Sequence, residues 1–182
     1  VAPPSNALIS SEDVSFHEKS FPLRVFVCDH CWLAQTEDFV RPDELFNADY
    51  SYFSGFSSTW LRHCQSLVER IVNDFSVTPN DKIFEVASND GTLLGIFDSF
   101  GFECLGIEPT HTAAQASRIK GLSVIEEFIG LDSAKKISKI HGKSQVLIAN
   151  NVLAHVPDIN DFTKGCLELL DDAGIVVFEF QS

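Results

Sequence analysis

From residue 58 onward the apolar positions switch repeatedly between short strand-like runs and helix-spaced stretches. Lys82-Ile83-Phe84-Glu85-Val86 reads as an apolar strand. It breaks at the small polar turn Ala87-Ser88-Asn89-Asp90-Gly91 and restarts as a helix in which Leu93, Leu94, Ile96, Phe97 and Phe100 recur at helical spacing. The same alternation predicts further strands at 103–107, 122–125, 145–150 and from Ile175, with helices over 112–120, 131–140 and 161–170 between them. In the last helix Phe162, Cys166, Leu169 and Leu170 face inward. Upstream, Trp60, Leu61, Cys64, Leu67, Val68, Ile71, Val72 and Phe75 make one broad face of a helix capped by Ser58 or Thr59 and ending near Phe75. Strands and helices alternating with short turns predict an α/β fold: a parallel sheet covered by helices and joined by right-handed crossovers.

The first fifty residues follow another pattern. Residues 1 to about 20 are polar and read as an extended arm. Phe21–Val27 and Trp32–Thr36 read as the strands of a β-hairpin with Cys28-Asp29-His30-Cys31 at its tip, the shape of half a zinc ribbon. A closed structural zinc site takes four ligands. The chain has no second Cys-x-x-Cys, and His17 and His30 are poorly placed substitutes, so two free thiols compete with a metal reading for Cys28 and Cys31. Arg41–Phe46 suits a short helix. The stretch 49–60, rich in aromatics and hydroxyls, reads either as packing between lobes or as a flap whose Tyr50 and Tyr52 hydroxyls reach a pocket. The expected division is an N-terminal partial zinc-type lobe over 1–50 and an α/β domain over 51–182.

Composition narrows the classes. The chain has 182 residues, 45% of them hydrophobic, with 16 Phe, enough for one domain core and a small appendage. Its 13 basic against 26 acidic side chains leave a net charge of −13. That sign disfavours non-specific binding to nucleic acid or to an anionic membrane. No apolar run approaches the roughly 20 residues of a membrane span. Five cysteines without a regular framework, and a start that is not a signal peptide, give the expectation of a cytoplasmic protein with reduced thiols. There is no Met, and the last core strand stops near the end of the sequence, so a fragment truncated at its C-terminus is expected.

Ligands of doubly wound sheets lie beyond the carboxyl ends of the strands. Three such ends carry chemistry here. The first offers Glu85, Ala87, Ser88, Asn89, Asp90 and Gly91. The second offers Glu108, either a solvated acid or an acceptor for both hydroxyls of a ribose. The fourth offers Asn150 and Asn151 and leads to His155, a general acid–base candidate or a polar residue that holds its loop. Gly-x-Gly-x-x-Gly is absent, which disfavours a dinucleotide. Gly142-Lys143-Ser144 is not a phosphate loop, because Ile137 stands where its first glycine belongs.

Glu85-x-Ala87-x-Asn89-x-Gly91 resembles the acidic-x-Gly-x-Gly-x-Gly loop of class I S-adenosylmethionine (SAM)-dependent methyltransferases, with Ala87 and Asn89 in place of two glycines. Tyr50–Trp60, Ala87–Leu94 and Ala149–Asp158 together resemble the sugar C-methyltransferase family, which acts on nucleotide-linked keto-deoxysugars, and Ser-Asn-Asp-Gly-Thr-Leu is that family's variant of the glycine loop. Cys28-x-x-Cys31 resembles the second half of its four-Cys zinc module. The resemblance covers the central portion of the family pattern, without the first Cys pair and the C-terminal domain.

It implies a Rossmann-like SAM-binding domain behind a zinc-bearing lobe, and methyl transfer to a carbon next to a ketone. Glu85, Ala87, Ser88, Asn89, Asp90, Gly91, Glu108, Asn150 and Asn151 are then expected at SAM, with Phe128 beside the adenine. His155 is expected as acid–base, and Tyr50 and Tyr52 at the sugar. The competing readings are a SAM-dependent O- or N-methyltransferase of another small metabolite, and a non-catalytic SAM-binding fragment.

Overall fold

The computed structural model describes residues 1, 3, 11–12, 20–37, 40–46 and 53–180. Backbone contacts divide the chain into two compact units, Val1–Ser51 and Tyr52–Ser182.

In the first unit β1 (Val25–Val27) and β2 (Ala34–Thr36) pair antiparallel, Val25 opposite Thr36 and Val27 opposite Ala34. The paired stretch is shorter than the pattern from Phe21 predicts; Pro22 has no N–H to give to a ladder. At the tip the Cys28 amide donates to the Leu33 carbonyl at 2.9 Å and the Trp32 amide to the Cys28 carbonyl at 3.0 Å. Trp32 completes the turn with φ 64°. A short helix, α1 (Pro42–Leu45), has Pro at its start and Asp43 and Glu44 in its first turn, where a helix N-terminus favours them.

The second unit opens with a 3-10 turn, Ser54–Phe56, and the long α2 (Ser58–Asp74). The cap of α2 is Ser57, one residue before the expected Ser58. Its extended backbone lets its hydroxyl accept from the Trp60 amide at 3.2 Å, while Ser58 and Thr59 already lie inside the helix. Then come β3 (Lys82–Val86), α3 (Thr92–Ser99), β4 (Glu103–Ile107), α4 (His111–Ile119), β5 (Val124–Ile125), α5 (Leu131–His141), β6 (Ser144–Asn150), α6 (Ile159–Leu169) and β7 (Leu170–Glu179). The sheet order is β5-β4-β3-β6-β7 and every pairing is parallel. β7 begins earlier than Ile175, with a register shift opposite Ser144–Val146. Leu170 therefore starts the strand instead of ending α6.

Alternation along the strands sorts the core into two layers. Ile83, Val146 and Ile148 pack with Cys64, Val68 and Ile71 of α2 and with Leu93 and Phe97 of α3. Phe84, Leu105 and Leu147 face the other way, onto Ile137 of α5 and Phe162 and Leu169 of α6. The chain winds outward from β3 through β4 to β5, then returns to lay β6 and β7 on the opposite side. The strand order reverses between β3 and β6, and a crevice at the carboxyl ends beside such a reversal is where ligands of these sheets lie. Among the described residues no helix is long and apolar enough to cross a membrane.

Candidate functional site

The loop after β3 is built from alternating backbone hands. Ala87, Asn89 and Gly91 all have positive φ, 55°, 50° and 72°. These are the positions at which the glycine-rich loop has its glycines. Asn adopts the left-handed region readily, whereas for Ala it costs about 1 kcal/mol. Gly91 is irreplaceable on two grounds. A Cβ there would lie 2.2 Å from Ser117 Oγ and 2.5 Å from Leu122 Cδ1, and its φ disfavours L side chains. The turn closes through Gly91 N to Ser88 O at 2.9 Å, and the helix begins with Gly95 N to Gly91 O at 2.8 Å.

Glu108, just beyond β4, is 4% exposed and holds the loop from the side. Its Oε2 accepts from the Asn89 amide at 2.9 Å and its Oε1 from the Thr110 amide at 2.8 Å. Each oxygen keeps a further lone pair for a ligand hydroxyl. Phe128, in the segment after β5, is 38% exposed.

Asp90 faces the interior of the unit. Its Oδ1 accepts from Ser54 Oγ at 2.8 Å and Thr92 Oγ1 at 2.7 Å. Lys120 Nζ reaches Asp90 Oδ2 at 3.1 Å and the Asp90 carbonyl at 2.6 Å. Burial by itself would raise the Asp90 carboxyl; the donors Thr92, Ser54 and Lys120 outweigh it and hold the group below the usual carboxylate range. The Ser54 amide also donates to Asn89 Oδ1 at 2.9 Å, so the 3-10 turn is strapped onto the loop at two neighbouring residues. A cleft of about 370 Å³ on the strap side borders Phe53, Phe56, Asp90 and Lys120, and none of Glu85, Glu108 or Asn150 lines it.

The other side of the loop carries unmet polar capacity. Glu85 is 6% exposed, and burial, joined by the neighbouring charges of Glu108 and Asp90, pushes its carboxyl well above the usual range against a hydrogen bond from the Leu94 amide. Glu85 Oε2, Ser88 Oγ and both amide atoms of Asn150 are buried without a hydrogen-bond partner. Buried polar atoms are rarely left so, and a ligand that both donates and accepts would satisfy them. Asn151, φ 55°, gives its amide to the Glu179 carbonyl at 2.6 Å. His155 ends the 3-10 turn Leu153–His155 on the exposed side of this loop.

The fold thus gathers Glu85, Ala87, Ser88, Asn89, Asp90, Gly91 and Glu108 around one turn, sets Asn150 and Asn151 at the adjoining strand end, and leaves His155 and Phe128 on flanking segments. Tyr50 and Tyr52 lie outside the described residues. Sequence reasoning missed Ser54, Thr110 and Lys120, which shape the loop from outside it. Ser54 stood inside a block already singled out, whereas Lys120 had no local signal. It also missed His63 and Glu179, whose side chains meet at 2.6 Å at the carboxyl end of β7.

Cys28 and Cys31 sit in the first unit. Backbone N–H groups of Cys31 and His30 lower the Cys28 thiol below its ordinary value, as suits a thiolate ligand. Two thiols are half of a closed zinc set. Among the described residues no group of three or more His, Cys, Asp or Glu side chains gathers to hold a metal. His17 lies outside the described residues. The residues described do not by themselves fit a closed zinc site.

Comparison with known proteins adds sequence and fold relatives. Residues 1–46 match the family model described as "Putative zinc binding domain". Over 177 residues the chain is 29% identical to the C-methyltransferase NovU of Streptomyces niveus, covering 97% of this chain and 42% of that protein. The chain therefore spans less than half the length of this curated relative. Among solved structures it is similar to the PH0226 protein from Pyrococcus horikoshii OT3, with TM-score 0.60 and 16% identity over 72% of this chain and 58% of that one. It is also similar to a SAM-dependent methyltransferase from Anabaena variabilis ATCC 29413, with TM-score 0.53 and 14% identity over 62% and 49% of the two chains. The plantazolicin methyltransferase BpumL, crystallised with S-adenosylhomocysteine (SAH) and a pentazolic desmethylPZN analog, gives TM-score 0.51 and 13% identity over 63% and 44%. At such identities the structural likeness speaks for the fold. The fold of the second unit is the Rossmann-like one of class I SAM-dependent methyltransferases, and in sequence the chain is similar to the C-methyltransferase family.

Proposed function

We propose that this chain binds SAM across the carboxyl ends of β3, β4 and β6 and is the cofactor-holding part of an enzyme that methylates a carbon beside a ketone of a nucleotide-linked deoxysugar. The observation that carries the reading is the junction of Asn89 and Glu108: a left-handed backbone turn bonded to a buried carboxylate with lone pairs to spare, at the carboxyl ends of β3 and β4 and next to the strand order reversal between β3 and β6. Glu108 accepts the ribose hydroxyls, Phe128 flanks the adenine, and the loop Ala87–Gly91 lets the ligand approach backbone. Glu85 and Asn150 meet the amino-acid end. Asp90 shapes the loop through its bonds to Ser54, Thr92 and Lys120.

Asp90 and Glu108 place two acids at one turn beside the buried Glu85, with Lys120 paired to Asp90, a setting suited to a cationic ligand. The bound sulfonium supplies an electrophilic methyl group. What the protein contributes to such a transfer is orientation and the handling of one proton. A proton leaves the carbon beside the ketone for a base, for which His155 is the candidate in this chain. The enolate oxygen needs a hydrogen-bond donor, for which Tyr50 and Tyr52 are the candidates. Cys28 and Cys31 are offered as two ligands of a zinc site completed by other residues. The similarity to NovU supports carbon as the methyl acceptor.

Calorimetric titration with SAM tests the reading. Binding that Glu108→Ala weakens by about ten-fold or more, roughly 1.4 kcal/mol, supports the site; a folded chain that takes up no SAM overturns it.

A further inference from the structure

On the face of the sheet that packs against α2, the apolar columns of β3, β6 and β7 each end in a polar residue. Ile83 is followed two residues on by Glu85, Ile148 by Asn150 and Val177 by Glu179, and Asn150 lies opposite Glu179 in the ladder. Glu85 and Asn150 have buried atoms without partners. Glu179 is taken: His63 of α2 places Nε2 2.6 Å from Glu179 Oε2, and the Trp60 ring lies against the imidazole at a centroid distance of 5.1 Å and an angle of 30°. Cys64, the next residue of α2, registers the same polar edge. Burial, with the charges of Glu85 and Glu179 behind it, pushes its thiol up to about 12.

We propose that His63 and Glu179 are positioning residues that hold the β6 end of the cofactor site, so that Asn150 presents its amide to the amino-acid portion of SAM. The inference rests on the cofactor reading above. The mechanical chain is short. The Nε2–H of His63 donates to the Glu179 carboxylate, which pins the end of β7 to α2. The Glu179 carbonyl in turn accepts the Asn151 amide at 2.6 Å, and Asn151 sits with φ 55°, a left-handed turn that Asn adopts readily and that this bond fixes in place. The residue before it is Asn150. Release of β7 from α2 loosens Asn151 and with it the aim of the Asn150 amide. The ribose side of the site is built differently, from Glu108, Thr110 and the Asn89 amide, and neither of the bonds that join them involves β7.

Two ligands that differ in reach therefore separate this role from a general contribution to folding. Calorimetry of the whole chain with SAM and with adenosine, for wild type, His63→Ala, His63→Gln and Glu179→Ala, is the experiment, with amide hydrogen exchange at Asn151 as the local readout. His63→Ala and Glu179→Ala are expected to weaken SAM about ten-fold, leave adenosine within about two-fold, and speed exchange at Asn151. His63→Gln, which keeps a donor toward Glu179, is expected to restore most of the SAM affinity. Equal losses for SAM and adenosine, or unchanged SAM binding in His63→Ala beside a wild type that binds, overturn the positioning role and leave the cofactor reading standing. A folded wild type that takes up neither ligand overturns both.

Discussion

The backbone N–H of Asn89 donates to the Glu108 carboxylate at 2.9 Å, and this bond joins the turn after β3 to the end of β4. One acid thereby fixes a loop that two non-glycine residues hold in a left-handed conformation, while each of its oxygens keeps a further lone pair. Glu108→Gln keeps an acceptor for one amide and presents an NH₂ to the other. It is expected to lower both stability, by about 1–2 kcal/mol, and SAM affinity, measured by urea unfolding and by calorimetry on the same preparation. Intact stability with lost affinity would mean that Glu108 meets only the ligand and does not organise the loop.

Ala87 tests the strain in that loop. Relief of a left-handed Ala is worth about 1 kcal/mol, and the extra freedom that Gly brings to the unfolded chain costs about 0.5–1 kcal/mol. Ala87→Gly is therefore expected to be neutral or to stabilise by under about 1 kcal/mol, whereas Ala87→Val, β-branched at φ 55°, destabilises by more than that. Urea midpoints decide it, and a Gly variant clearly weaker than wild type would remove the strain argument.

Gly55 and Gly91 separate close approach from backbone hand. At Gly55 a Cβ would stand 2.7 Å from Asp90 Oδ2 and 2.8 Å from Thr92 Oγ1. Gly55→Ala is expected to cost about 1–3 kcal/mol by overpacking, and to loosen the Ser54 strap. Gly91→Ala meets both a tighter contact and a positive φ, so its loss is expected to be the larger of the two. Thermal unfolding of both variants ranks them, and the reverse order would contradict the geometry.

Much of the second unit was legible because its apolar periodicity is strong where the sheet is buried on both faces. The run Ile83–Val86 and the spacing of Leu93, Leu94 and Phe97 leave little choice of element. The cap of α2 was misplaced by one residue because Ser57, Ser58 and Thr59 are all good cap residues, and only the chain direction set by the Ser54–Phe56 turn selects Ser57. In the site, the residues of the loop were readable from their order along the chain. Lys120 and Ser54 were not, since their partner Asp90 is distant in sequence and meets them only through the packing of α4 and the strap. His63 and Glu179 were hidden for the same reason, although a polar residue closing an apolar column is a signal that sequence offers.

The five thiols are expected to split by reactivity. Cys28 carries a lowered thiol on an exposed hairpin tip and Cys31 beside it is exposed. Cys64, Cys104 and Cys166 are pushed up to about 12, chiefly by burial. Brief iodoacetamide treatment near neutral pH is expected to label Cys28 first and Cys31 with it, at least about ten times faster than the other three, which should react only in urea. Mass spectrometry of peptides reads the sites. Zinc that protects Cys28 and Cys31 would support a metal held there.

Glu85 and Asp90 make opposite demands on pH. The Glu85 carboxyl is raised in the folded state, above all by burial. Above the unfolded value of about 4.3 the folded chain therefore holds a proton that the unfolded chain has released. Stability from this group is complete below that value and is lost as pH rises toward the folded value. Asp90 is lowered: burial opposes, but Thr92, Ser54 and Lys120 prevail. Its contribution is present above the unfolded value of about 3.9 and is lost as pH falls through the folded value. Glu85→Gln is accordingly expected to stabilise the ligand-free chain near pH 8, with the gain shrinking toward pH 4. Asp90→Asn is expected to destabilise by about 1–3 kcal/mol at neutral pH, with the gap narrowing in acid. Urea unfolding across this pH range separates the two curves. A Glu85→Gln chain no more stable than wild type at pH 8 would mean that the buried carboxylate finds a partner in the folded state, and the unmet capacity of Glu85 Oε2 toward a cationic ligand would then be absent.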